Sequence, residues 1–150
     1  MLRRRDIGNL SGMARPPRHR TSREGLASAE GLRPQLEACR LDLRALFRVL
    51  DRMRLAQDLP AELRRLQELD ADLAEALWVL DQPPGKFDWT AMARDTLASL
   101  TRVAAAREAF LAVFDASTRA LLEARVQGMR SVLTPSDAYL DIPGRDPFAQ

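Results

Sequence analysis

Four arginines on one predicted helix form the clearest charged pattern in the chain. They recur every fourth residue, so each lies about one turn beyond the last. Like charges at this spacing repel by about 0.2–0.5 kcal/mol per step in an isolated helix. The row predicts either a strip that binds a partner or an anion, or salt bridges to acids elsewhere in the bundle or in a second subunit. Its members are Arg40, Arg44, Arg48 and Arg52.

A second group of arginines lies in the first 25 residues, where seven basic side chains accompany only Asp6 and Glu24. A flexible polycation binds phosphate groups without sequence preference, because it releases their counterions. The segment therefore predicts non-specific binding to nucleic acid, and the alternative is an inert leader. The seven residues are Arg3, Arg4, Arg5, Arg15, Arg18, Arg20 and Arg23.

Residue types that carry catalysis or bind metals are scarce. His19 is the single histidine and Cys39 the single cysteine. Zinc, haem and copper sites need clusters of such ligands, and a Ser-His-Asp triad would have to use His19. No glycine-rich phosphate or dinucleotide motif occurs. We therefore expect no enzyme activity, no cofactor, no metal and no small-molecule substrate. We also expect Cys39, which falls in an apolar stripe, to be buried and unreactive.

The composition favours an all-α protein. Of the 150 residues, 24 are Leu and 23 are Ala, whereas aromatic residues make up 5%. Leu and Ala are strong helix formers, and sheets prefer the β-branched and aromatic residues that are rare here. No apolar run approaches the roughly 18 residues of a membrane span, and the N-terminus has no apolar signal region. We expect a cytoplasmic protein with no membrane partner.

Glycine and proline divide the chain into three predicted parts. Residues 1–31 contain four glycines and Pro16-Pro17 without helical periodicity, which predicts a flexible basic tail. Residues 32–140 form a helical bundle domain, and residues 141–150 form an extended C-terminal tail. Between them, Thr134-Pro135 predicts a short turn, after which Tyr139 and Ile142 pack back on the bundle.

Two leucine stripes predict an antiparallel hairpin of helices over residues 33–57 and 59–81. The acidic residues Glu68, Asp72 and Glu75 lie opposite the leucines of the second helix and predict a solvated face. Asp70 is the one acid on the leucine side. We expect it at an edge position, where it reaches water or an arginine.

The third helical pattern starts after Asp88, a predicted N-cap, and runs from Trp89 to Leu133. No proline or glycine interrupts it before Gly128, which favours one continuous or kinked helix of about 68 Å. Cap-forming residues at 115–118 mark the alternative, a break that would give a four-helix bundle. The fold expected is a helix hairpin plus this long, continuous or broken helix.

A continuous third helix would extend beyond the hairpin and leave part of its apolar face uncovered. Phe110, Phe114 and Leu121 would then pack against a second copy of the chain. Together with the arginine row, this predicts a non-catalytic scaffold or adaptor that forms a homodimer and binds another protein. Binding of nucleic acid through the N-terminal arginines is the alternative function.

Overall fold

Five α-helices make up most of the structure. The computed structural model describes residues 18–83, 85 and 87–142, and no β-strand occurs among them. The helices are α1 (Arg18–Gly31), α2 (Arg33–Met53), α3 (Pro60–Leu80), α4 (Trp89–Leu111) and α5 (Ala116–Arg130). Short 3₁₀ helices span Ala56–Asp58 and Pro135–Tyr139, and we call the second one the C-terminal turn. The predicted all-α class is confirmed, and none of these helices is long and apolar enough to cross a membrane.

The core forms where α2 meets its neighbours. α2 packs against α3, α5 and the C-terminal turn, while α4 packs against α1 and α3. Arg33, at the start of α2, pairs with Asp81 just after α3 at 3.3 Å, so α3 runs back along α2. The leucines of these two helices without any exposed surface are Leu36, Leu43, Leu46 and Leu50 of α2 and Leu66, Leu73 and Leu77 of α3.

Helix α1 occupies residues that the sequence predicts to be a flexible tail. It lies against α4, with Gly25 and Ala29 buried in the contact. Leu26 is the one leucine of α1 and the buried positions of this helix are small, so its sequence lacks the leucine stripe that identifies α2 and α3. Pro34 separates α1 from α2, because proline has no N–H to continue the hydrogen-bond ladder. The tail prediction is wrong for residues 18–31, and residues 1–17 lie outside the described residues.

Helix α2 ends at Met53, four residues before the predicted boundary. Arg54 adopts a left-handed conformation with φ of 60°. The next amide, that of Leu55, then donates to the Leu50 carbonyl at 3.0 Å, which closes the helix end. Glycine is the usual residue at such a position, and its absence explains why the sequence did not reveal this boundary.

The long third helix breaks into α4 and α5, so the continuous helix favoured by the sequence is wrong. The amides of Val113 and Phe114 turn back to carbonyls three residues earlier, which ends α4. Asp115 then caps α5 by accepting a 2.7 Å hydrogen bond from the Thr118 amide. This bond also lowers the pKa of Asp115 below its usual value. The capping residues, without any glycine or proline, are sufficient to make the break.

The break removes the reason for expecting a dimer. Because α5 folds back to pack on α2, Phe110 and Leu122 are buried within a single chain. Phe114 is partly buried and stacks edge-on against Phe110 at a centroid distance of 5.5 Å. Leu121 remains 44% exposed.

Replacing Gly25 by alanine should displace α1 from α4. An added Cβ would lie 2.6 Å from Thr90 Oγ1 and 2.7 Å from the Thr90 backbone nitrogen, which cannot move aside as a side chain can. We expect Gly25→Ala to lower the free energy of unfolding by about 1–3 kcal/mol in urea denaturation. Gly31→Ala is the matched control, since a Cβ there meets nothing within 4 Å. It should be neutral or stabilise by up to about 1 kcal/mol. Equal stability of the two variants would contradict this account of α1.

Candidate functional site

The first arginine of the row, Arg40, is a buried structural anchor. Its side chain is 1% exposed. Its guanidinium donates to both carboxylate oxygens of Asp70, at 3.0 Å and 3.3 Å. It also donates to the carbonyl of Ala138, at 3.1 Å, and to the carbonyl of Leu140. Arg40 therefore joins α2 and α3 to the C-terminal turn.

Asp70, which we expected at an edge, is 6% exposed and forms ion pairs with two arginines, the first of which is Arg40. The second is Arg44, whose Nη2 lies 3.3 Å from Asp70 Oδ2. A buried carboxylate is costly unless it is paired and hydrogen bonded. Asp70 meets that condition through two guanidinium groups, so this unusual charge on the leucine face has a structural explanation.

The next two arginines of the row also bind the chain itself. Arg44 reaches the carboxylate of Asp141 at 3.0 Å, and Arg48 lies 3.9 Å from that of Asp137. For Arg40, Arg44 and Arg48, the structure thus shows intramolecular salt bridges, one of the two interpretations of the row. Arg52 is exposed and makes no salt bridge or hydrogen bond with any residue that the structure describes.

Tyr139 holds the C-terminal turn on the first turns of α2. Its hydroxyl donates to the Glu37 carboxylate and accepts a 2.8 Å bond from Arg33. Partial burial raises the pKa of Tyr139, and the bond to Glu37 raises it further. Ile142, three residues after the turn, is buried in the core. The expected packing of Tyr139 and Ile142 on the bundle is confirmed, whereas residues 143–150 of the predicted extended tail lie outside the described residues.

Removing the Arg40 side chain should destabilise the fold strongly. Arg40→Met leaves the Asp70 carboxylate buried with one remaining arginine and frees two carbonyls. We expect the free energy of unfolding to fall by about 3–5 kcal/mol in chemical denaturation. Arg52→Met, a matched change on the same helix at an exposed position, should stay within about 0.5 kcal/mol. The double variant Arg40→Met/Asp70→Leu should recover part of the loss, and a failure to do so would argue against an unpaired Asp70 as its cause.

Cys39 has no sign of reactivity in this structure. It packs partly buried against the core of α2. Burial, together with the nearby carboxylates of Asp42 and Asp70, raises the pKa of its thiol to about 11. A thiol with so high a pKa is protonated at neutral pH, and the protonated form is a poor nucleophile.

Cys39 should make the fold less stable at alkaline pH. The unfolded thiol loses its proton near pH 9.0 and the folded thiol near pH 11, so the unfolded state binds fewer protons between these values. The free energy of unfolding then falls as pH rises, by about 1 kcal/mol between about pH 8 and about pH 10. Cys39→Ala should remove this part of the pH dependence in urea titrations. An unchanged slope in the variant would contradict a buried, protonated thiol.

A second charged cluster joins three helices. Asp42 of α2 accepts bonds from Arg107 of α4 at 2.5 Å and 3.2 Å. Arg107 also donates to Glu123 of α5 at 2.9 Å. This cluster is half-exposed and fully paired, so it fixes the position of α4 and α5 over α2 and leaves no charge free for a ligand.

The N-terminal arginines are only partly within the described residues. Arg3, Arg4, Arg5 and Arg15 lie outside them. Arg18 and Arg20 belong to the first turn of α1, as does His19, and the side chain of Arg23 is exposed on the same helix. The structure therefore adds no contact that favours or opposes binding of phosphate groups by this segment.

An open groove with a volume of about 540 Å³ lies between α3 and α4. We call it the acidic groove. Its floor is apolar and partly buried, and its rim carries exposed carboxylates together with one base, Arg102. The floor includes Ala76, Val79, Phe87 and Met92, and the rim acids are Asp72, Glu75, Asp88 and Asp95.

The rim carboxylates differ in what they already bind. Asp88 caps α4 by accepting a 3.1 Å bond from the Ala91 amide, as its sequence predicted. Asp95 lies 3.8 Å from its neighbour Arg94 on the exposed surface. Asp72 and Glu75 make no ion pair or hydrogen bond with any residue in the described ranges. Both are exposed, as the sequence predicted, and the packing of α4 against α3 brings two more acids alongside them.

Within residues 18–83, 85 and 87–142, no group of three or more His, Cys, Asp or Glu side chains is arranged to hold a metal ion. Trp89 buries an indole N–H without a hydrogen-bond partner in the described structure. It does not line the acidic groove. The groove offers carboxylates and apolar surface, which suit a cationic, amphipathic ligand.

Comparison with known proteins finds no relative: no protein-family model, no curated protein and no solved structure matches this chain. Any statement about its function therefore depends on its own residues and their geometry.

Proposed function

We propose that the chain is a non-catalytic adaptor or scaffold that holds a basic, amphipathic segment of a partner protein in the acidic groove. The observation that supports this is the groove itself, an apolar floor with carboxylates along both helices that border it. An amphipathic helix laid in such a groove buries its apolar face and leaves its basic residues at the rim.

The shape of the groove favours a peptide over a small molecule. Small-molecule sites enclose most of the ligand surface, whereas this groove is open along its length. Asp72 and Glu75 lie about one turn apart on α3, and Asp88, the cap of α4, lies about two turns before Asp95 of that helix. Carboxylates thus line both sides of the groove, and they match the spacing of basic residues on a helical partner.

Self-association is the narrower form of this proposal. Because the break between α4 and α5 buries Phe110 within one chain, the apolar surface left to support self-association is that of Val113 and Leu121. These side chains are 50% and 44% exposed. Two scattered exposed residues are a smaller surface than the groove provides. We therefore place the partner site in the groove, and a second copy is one protein that it would accommodate.

Binding to nucleic acid remains the alternative function. It depends on the arginine density of residues 1–25. The acidic groove opposes it, because exposed carboxylates repel phosphate groups. The two proposals use different parts of the chain and are separable by substitution in the full-length protein.

Reversing the charge of the groove should abolish capture of a basic peptide. The probe is a fluorescent helical peptide of about 18 residues with leucines on one face and lysines on the other. We expect Asp72→Lys/Glu75→Lys to weaken its binding, measured by anisotropy at low salt, by about tenfold or more. Glu62→Lys/Glu68→Lys is the matched control, since it makes the same charge change on α3 outside the groove. It should change the affinity by less than about threefold.

Two outcomes would contradict the proposal. Equal weakening by both variants would show a general charge effect, and absence of binding even at low salt would leave the groove without its ligand. A short DNA duplex serves as the second probe for the alternative function. If it binds with a log–log salt slope of about −0.9 per contact, and Arg3→Gln/Arg4→Gln/Arg5→Gln reduces that slope, the nucleic-acid function is favoured instead.

A further inference from the structure

A second groove of opposite charge lies between the C-terminal ends of α2 and α5. It has a volume of about 240 Å³ and an apolar lining that includes Val49, Met53 and Met129. Val132 borders it with 70% of its surface exposed, the highest value among the large apolar side chains of the described residues that are exposed. Two arginines, Arg52 and Arg125, complete the lining. We call this the basic groove.

The two arginines of the basic groove differ from the neighbouring arginines in that they bind no carboxylate of the described residues. Arg40, Arg44 and Arg48 each bind a carboxylate of this chain, as does Arg130 of α5, which lies 4.0 Å from Asp42. Arg52 and Arg125 make no hydrogen bond or ion pair with any described residue. Both are exposed and border the same apolar cavity. Two guanidinium groups beside one cavity, with no acid among its lining residues, form a site that a carboxylate would stabilise.

The chain itself shows how this face of α2 binds an acidic segment. Arg44 holds the carboxylate of Asp141 at 3.0 Å and the carbonyl of Leu140 at 3.4 Å. The next residue, Ile142, is 3% exposed. An acid held by an arginine of the row, followed by a buried aliphatic side chain, is therefore a binding mode that α2 already uses. Arg52 lies about one turn after Arg48 on α2 and makes no ion pair with the C-terminal turn, so the same mode is open there.

We infer that the basic groove binds a short extended segment of a partner protein in which an Asp or Glu precedes an aliphatic residue. The carboxylate would bind Arg52 and Arg125, and the aliphatic side chain would enter the cavity. At about 240 Å³ the cavity is smaller than the 300–1,000 Å³ of typical small-molecule sites. This size favours one or two side chains of a peptide. Met53 and Met129 provide a flexible lining that adapts to different aliphatic residues.

This site is independent of the acidic groove. It lies on α2 and α5, requires a ligand of opposite charge and has its own probe. The two sites can therefore fail separately, and the adaptor function proposed above does not depend on this one.

The test is a titration of the full-length, ¹⁵N-labelled protein with an amidated peptide containing an Asp-Ile pair flanked by Ser and Gly. A matched peptide carries Asn-Ile. We expect the Asp peptide to shift the amide signals of Gly128 and Val132 and to bind about tenfold more tightly than the Asn peptide. Arg52→Gln/Arg125→Gln should remove that difference. Arg64→Gln/Arg65→Gln, which removes two exposed arginines of α3, should preserve it.

A second variant separates the cavity from the charges. Gly128 lines the groove, and an added Cβ there meets nothing within 4 Å. Gly128→Leu therefore adds an apolar side chain to the lining of the groove at a position with room for its Cβ, and leucine favours the helical conformation of α5. It should weaken the Asp peptide about tenfold or more while both arginines remain in place.

Three results would overturn the inference. The first is equal affinity for the Asp and Asn peptides, and the second is equal weakening by Arg64→Gln/Arg65→Gln. The third concerns residues 143–150 of this chain, which include Asp146 and Phe148. If Asp146→Asn/Phe148→Ala strengthens binding of the Asp peptide about tenfold or more, the chain's own C-terminal segment is the occupant and no partner segment is required.

Discussion

The buried ion pair between Arg40 and Asp70 is the constraint on which the rest of the bundle depends. Both groups lose nearly all contact with water, which costs several kcal/mol per ion before any bond forms. That cost is offset only if two conditions hold. The Asp70 carboxylate must pair with Arg40 and Arg44, and the Arg40 guanidinium must also reach the carbonyls of the C-terminal turn. Three separate segments must therefore adopt one relative arrangement. An apolar core alone would allow several.

The two grooves follow from how the helices surround this pair. α2 packs one face against α3 and another against α5, and its arginine row contacts the C-terminal turn. The turn and the residues that follow it bind the first three arginines of the row, so the fourth, Arg52, lies beyond it. α4 lies against α3, and the acids that each helix carries toward solvent meet along the line between them. The result is a small scaffold with an acidic groove on one pair of helices and a basic groove on another. Such charge separation matters more for partner selection than for stability.

Local patterns in the sequence predicted those features that local forces determine. The leucine stripes of α2 and α3, the Asp88 cap and the turn at Pro135 each depend on residues within a few positions of one another. α1 was missed because its contact with α4 uses the absence of a side chain at Gly25, and a glycine in a basic segment is also typical of a flexible tail. The pairing of Arg40 with Asp70 and the meeting of Asp72 with Asp95 across a groove depend on which helices pack together, and periodicity within one helix carries no such information.

The position of the Arg40 bonds along the chain also has a consequence for the order of folding. Arg40 and Asp70 are 30 residues apart, whereas the carbonyls of Ala138 and Leu140 lie 98 and 100 residues away. During synthesis the α2–α3 hairpin can close early, since short loops cost less entropy than long ones. Until the C-terminal turn has been synthesised, water contacts the Arg40 guanidinium on the side that the Ala138 and Leu140 carbonyls later cover. Full desolvation of the pair therefore requires the C-terminal turn, so docking of this turn is a condition for the native packing of the bundle.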